Sequence, residues 1–133
     1  MSLEPAINEV ATVNLTVPVM DEEQLAMLQM VDQEEGEGGS LLGELFEMFE
    51  SESGQRLEDL GSICARNDLE ELRRIIHFVV GSASNIGLLR LSSYYRDIEQ
   101  AIDTKQLADS AGAEVPILEA FKDSCNYFRE NHL

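Results

Sequence analysis

The chain has 133 residues, the size of one ordinary domain, and its 44% hydrophobic content suffices for a core, unlike that of a disordered polymer. Nine Lys and Arg against twenty-six Asp and Glu give a formal net charge of −17, which argues against nucleic acid and anionic membrane surfaces as partners. No apolar run approaches the roughly 20 residues that span a bilayer, and no basic stretch leads into an apolar one as in a secretory signal, so a cytoplasmic protein is expected.

In chain order, residues 1–19 lack helical periodicity and read as an N-terminal arm, extended over Asn14–Val19 or lying on the domain, and open to partial disorder. Asp21 is a good N-cap for a short helix carrying Leu25, Leu28 and Val31. Glu34 to Ser40 is a polar, glycine-rich connection. Ser40 then opens a long helix whose apolar positions Leu42, Leu45, Phe46, Phe49, Leu57, Leu60 and Cys64 recur every three or four residues. Its many glutamates form a solvated acidic face.

Asp68, with Glu71 three residues on, is an acidic variant of the capping box and starts the next helix. Leu69, Leu72, Ile76, Val79, Ala83 and Ile86 define its buried seam, and Gly87 stops it. A further helix carries Leu88, Leu91, Tyr95, Ile98 and Ile102. Lys105 to Glu114 reads as a loop; Val115 should avoid helical geometry because Pro116 follows it, and Pro116 should open the last helix, with Leu118, Phe121, Cys125 and Phe128 inside. The fold class expected is all-α: an antiparallel up-down four-helix bundle with an additional short N-terminal helix, spanning residues 20–133.

Cys64 and Cys125 sit at apolar positions and read as free buried thiols. Two cysteines and two histidines without close ligand spacing make no metal signature.

The helix from Asp68 carries the chemistry. At about 100° per residue, His77 lies roughly 140° from the centre of the seam and should face solvent. An exposed histidine is by itself ordinary. Gly81 is not: it lies roughly opposite the seam one turn later, and a glycine there costs about 1 kcal/mol relative to alanine. A bare backbone lets a partner's surface approach the imidazole closely. Ser84 projects within about 20° of His77, two turns along. A neutral imidazole nitrogen can attack phosphorus, and phosphoryl transfer depends mostly on positioning and charge stabilisation, which a partner can supply. If the helices turn at Gly87, residues 97–100 come beside His77; a carboxylate at Glu99 would then bond one ring N–H and leave the other nitrogen free.

These residues resemble a known family. The run His77-Phe78-Val79-Val80-Gly81-Ser82-Ala83-Ser84-Asn85-Ile86-Gly87, then Arg90-Leu91 and Ile98-Glu99, is similar to the signature of histidine-containing phosphotransfer (HPt) domains. That signature has a histidine, then Leu-Lys-Gly-Ser, a run of small residues, a glycine, and an acid or amide on the next helix. The resemblance covers about residues 20–130 and places His77 at the phosphoacceptor, Gly81 and Ser82 at the Gly-Ser pair, Gly87 at the inter-helix glycine, Arg90 at a common basic position, and Glu99 at the acid or amide. It implies a four-helix bundle in a two-component phosphorelay, a phosphoryl carrier without independent turnover, and no cofactor of its own. The implied partners are a response-regulator receiver domain, with Mg2+ on that receiver, and a histidine kinase or hybrid sensor kinase. A monomer is expected.

One position departs from the signature. Val80 stands where the family has lysine, a residue that would lean toward the ring and help neutralise phosphoryl oxygens. Arg73 and Arg74, one turn earlier on the same face, lean away from it. An exposed valine would suit a docking surface, so the competing reading is a degenerate adaptor that binds a receiver or kinase without carrying phosphate. A third reading is a purely structural bundle in which His77 is incidental.

Overall fold

The structure is a computed structural model that describes residues 4–35 and 41–133. Among these, every regular element is a helix: α1 (Ile7–Val10), α2 (Glu22–Glu35), α3 (Leu41–Leu57), α4 (Leu60–Ala65), α5 (Leu69–Asn85), α6 (Leu89–Asp103) and α7 (Glu114–His132).

The α5–α6 hairpin is the spine. Asp68 caps α5 as its spacing predicts, its carboxylate accepting from Glu71 N at 3.1 Å. The seam Leu72, Ile76, Val79, Ala83 and Ile86 is buried, with Leu69 partly so. Each of its Leu, Ile and Val side chains, where fully buried, contributes roughly 1.5–3 kcal/mol. Gly87 ends α5 at φ +82°, left-handed backbone that glycine adopts without strain. Space alone would admit a Cβ, which would lie 3.4 Å from Asp21 O in ordinary contact, so the backbone conformation is what requires glycine. Three pairs widen outward from this turn, Ser84 with Arg96, His77 with Glu99 and Arg73 with Asp103, which shows the antiparallel register directly.

α3 and α7 close the bundle. Phe46 stacks on Phe128 with centroids 4.6 Å apart, and Phe49 meets Phe121 at 5.7 Å. Tyr95, fully buried, donates its hydroxyl to Ile117 O at 2.9 Å and so joins α6 to α7. The link between α6 and α7 is tied down by Asn67, whose side-chain oxygen accepts from Ser110 N at 2.8 Å.

α2 covers the hairpin turn. Asp21 Oδ1 accepts from Glu23 N and Gln24 N, the expected cap, and Asp21 N donates to Gly87 O at 2.7 Å. Leu25 is buried and Leu28 partly, but Val31 is exposed.

Four local features differ from the sequence reading. The residues read as an arm without helical periodicity hold the single turn α1, with Ile7 buried; four residues are too few to show a period. α2 runs through Glu35, into the expected connection, while residues 36–40, including Ser40 as the expected helix start, lie outside the described residues. The long helix expected from Ser40 to Cys64 breaks at Glu58–Asp59 into α3 and α4. Leu57, Leu60, Ile63 and Cys64 are buried on both sides of the break, and straight and bent helices share that spacing. Finally, α7 begins at Glu114, so Val115 is helical despite preceding proline. Pro116 is the third residue of α7, within the first turn, where N–H groups have no intrahelical acceptor.

Candidate functional site

His77 stands mid-α5 with its side chain 69% exposed, as the seam predicts. Its Nδ1 lies 2.6 Å from Glu99 Oε2 across the hairpin. Glu99 is only 14% exposed and is itself steadied by Arg73, whose guanidinium lies 3.4 Å from the same oxygen. A carboxylate without a proton can only accept, so in a neutral imidazole paired with it the ring proton sits on Nδ1 and the Nε2 lone pair is left toward solvent. The arrangement can fix a tautomer and present an unprotonated nitrogen to a docked reactant.

Gly81 is exposed one turn further on, and a Cβ added there meets nothing within 4 Å. The surface beside the imidazole is therefore bare, as a close partner approach requires. Ser82 is half-buried next to it. Ser84, also half-buried, accepts from the Arg96 guanidinium at 3.1 Å.

The basic residues are disposed differently from the sequence expectation. Arg73 grips Asp103 through two bonds, Nε to Oδ1 at 2.5 Å and a terminal nitrogen to Oδ2 at 3.1 Å. That hydrogen bond holds the Asp103 carboxyl below its ordinary value and lifts the Arg73 guanidinium above its own. Arg74 pairs with Glu71 and, at 3.5 Å, with Glu70, so it stays on its own helix. Arg90 is not brought to His77 at all. Its side chain donates to Val17 O at 2.7 Å and Leu15 O at 3.1 Å and so holds the N-terminal arm on the hairpin. The turn end of α6 lies far from the middle of α5, and the carbonyls of the arm are the acceptors within reach there.

Val80 is 7% exposed and belongs to the core, which corrects the expectation of an exposed valine. The position borders the seam, and Ile75 is likewise buried beside it, so the apolar face of α5 is wider than the seven-residue repeat suggests.

Two arginines went unremarked in the sequence. Arg56 on α3 lies over the Phe78 ring at 4.4 Å, and Arg96 on α6 holds Ser84. The hairpin register that paired Glu99 with His77 also pairs Arg96 with Ser84, so the signal for Arg96 was present. Among the described residues no group of three or more His, Cys, Asp or Glu side chains could hold a metal ion.

A family model described as Hpt domain matches residues 44–130, a span that contains His77, Gly81 and Glu99. Among solved structures, the chain is similar to histidine-containing phosphotransfer protein B (HptB) from Pseudomonas aeruginosa PAO1. The two share 25% identity and a TM-score of 0.67, over 85% of this chain and 93% of that one. No curated protein matches the chain significantly.

Proposed function

Because this chain belongs to the Hpt domain family, we propose that His77 is its phosphoacceptor, taking a phosphoryl group from, or passing it to, a receiver-domain aspartate. The observation that carries the reading is the 2.6 Å contact of Nδ1 with Glu99, with the rest of the ring open to solvent beside bare Gly81. In the step toward this chain, the Nε2 lone pair attacks the phosphorus of the receiver's acyl phosphate. The N–P bond forms as the P–O bond to the aspartate breaks, and the aspartate leaves as carboxylate. Nδ1 keeps its proton throughout, bonded to Glu99, which stabilises the positive charge the ring develops. The reverse step returns the phosphoryl group by the same path.

In this reading the chain supplies a positioned nucleophile, while the receiver supplies Mg2+ and the acidic pocket that orient the phosphoryl group. Hpt domains are carriers rather than enzymes with turnover, and their partners are receivers and histidine kinases, here including hybrid sensor kinases. No helix of the described residues is long and apolar enough to cross a membrane. A cytoplasmic monomer suits the strong acidity of the surface.

The test is phosphorylation by a phosphorylated receiver or an active kinase of the same organism. Acid-labile, base-stable label should appear on the wild type and vanish in His77→Gln, with the helical circular dichroism unchanged. Label persisting in His77→Gln, or residing on Ser or Asp, would refute the assignment. The adaptor reading draws on one observation: Val80 rather than lysine stands three residues after His77, and Arg73 and Arg74 are both engaged with carboxylates. Receiver binding without any label on the wild type would select it.

A further inference from the structure

α6 has a second working face. Tyr94 lies five residues before Glu99, roughly 140° around the helix. There α6, α7 and the N-terminal arm enclose a cavity of about 300 Å³, open on one side. The cavity exists because the arm is held fast: Arg90 bonds the carbonyls of Leu15 and Val17. Its walls are apolar, with Val19, Leu91 and Ala120 among them. Its lip carries Leu15, 75% exposed, and Tyr127, also exposed; Val115, exposed as well, adjoins the lining residue Pro116.

The charged groups of the lining are Glu119, Asp123 and Arg90, and the Arg90 guanidinium is already engaged by the carbonyls of Leu15 and Val17, which leaves the two carboxylates in excess. Glu119 and Asp123 both line the cavity, one turn apart on the same face of α7, and neither has an ion-pair partner among the described residues. Like charges at this spacing repel. Tyr94, 2% exposed, lines the same cavity. Burial and the neighbouring Glu119 charge push that phenol up to about 12, so it remains a neutral hydroxyl facing an acidic mouth.

We propose that this cavity is a docking site for an extended segment of a partner protein, which places an arginine or lysine side chain between Glu119 and Asp123. The aliphatic stem would lie against Leu91 and Tyr94, and a flanking apolar residue would cover Leu15 and Tyr127. Charge complementarity selects the cation, and the exposed apolar lip extends the contact beyond what a small amine alone would cover. The site is independent of His77 and leaves the phosphoacceptor face free, so both could be occupied together.

The test is an amide NMR titration of the full chain with N-acetyl-Leu-Arg-Leu-amide and its citrulline analogue, which keeps the shape and loses the charge. The arginine peptide should shift amides of α6 and α7 around Tyr94, Glu119 and Asp123, and bind roughly two- to fivefold tighter than the citrulline peptide for each carboxylate engaged. The double substitution Glu119→Gln with Asp123→Asn should erase that difference; both side chains are exposed, so the fold is not at risk. The proposal is overturned by shifts scattered over the acidic surface, by shifts confined to the exposed methionines of α2 and α3, or by none at millimolar peptide. Concentration-dependent self-association that covers this face would overturn it as well.

Discussion

Gly81 separates what a helix gains from what a docking face requires. Glycine inside a helix costs about 1 kcal/mol relative to alanine, and at Gly81 an added Cβ meets nothing within 4 Å. Gly81→Ala should therefore stabilise the fold by about that amount. With an unfolding entropy near 2.1 cal/mol/K per residue, a chain of 133 residues gains about 3–4 °C in Tm per kcal/mol. Gly81→Gln should gain most of the same propensity while placing a long side chain on the face that presents His77. A reactant displaced by about 1 Å can lose roughly hundredfold in rate, so Gly81→Gln should be stable and nearly inert in transfer. Gly54 is the control: it lies inside α3, its Cβ likewise meets nothing, and Gly54→Ala should raise Tm equally with transfer untouched. Gly87→Ala should do the reverse and lower Tm, because left-handed backbone costs a non-glycine residue about 1–2 kcal/mol and Gly87 sits at φ +82°. Melting curves by circular dichroism, with single-turnover transfer from one phosphorylated receiver, measure both axes. A Gly81→Gln protein that transfers at the wild-type rate would show that the partner does not cover this position. A lowered Tm for Gly81→Ala would show that the residue does not face open solvent.

Glu99→Gln keeps an acceptor for Nδ1 but loses the charge, and charge-assisted hydrogen bonds are about twice as strong as neutral ones; transfer should slow only severalfold, whereas Glu99→Leu should slow it by at least roughly tenfold, and equal rates for all three proteins would remove Glu99 from the mechanism. Val80→Lys puts a charged side chain into the core, so it should destabilise by about 1–3 kcal/mol, readable as a lower urea midpoint; unchanged stability would mean that the position is open to solvent after all. Cys64 and Cys125 are pushed up to about 11 and about 12, first by burial and then by the charges of Glu114 and Glu50 respectively, so at pH 8 the folded chain should alkylate far more slowly than the unfolded one. The folded state holds these thiol protons more tightly, so their contribution is complete below the unfolded pKa near 8.5 and is lost as the pH rises through about 11 and about 12. The urea midpoint should fall across that alkaline window, and a rise there would contradict the burial.

Periodicity carried most of the fold. The α5 seam, the Asp21 and Asp68 caps and the Gly87 stop could be read because each is a local rule with one satisfying conformation. The misses are places where two conformations satisfy the same rule. Glu58 and Asp59 suit a helix interior as well as a turn, so only packing of α4 on α7 decides: Gly61 lies so near Glu114 that a Cβ would collide with its carboxylate. Val115 shows the opposite ambiguity. The bias of a pre-proline residue against helix is real, yet it yields at a first turn when Ile117, Phe121 and Phe128 are buried by continuing that helix.

At the site, the same division runs between short groups and long ones. His77, Gly81 and Glu99 were readable because helix phase and hairpin register fix where a short side chain goes. An arginine reaches several acceptors, and its partner is set by which carboxylates and carbonyls happen to lie within that reach. Thus Arg73 is spent on Asp103 and Glu99, Arg74 on Glu71 and Glu70, and Arg90 on the arm. Arg96 leans toward the N-terminus of α6, as helical side chains do, and so onto Ser84 rather than toward His77. This allocation bears on the proposed relay. A phosphoryl group on Nε2 would add negative charge to a chain already at −17, beside cations largely committed elsewhere and a buried Val80 in place of lysine. Its oxygens would then be best neutralised while a receiver and its Mg2+ are docked over Gly81. Such a site favours passing the group onward in the complex over storing it on the free protein.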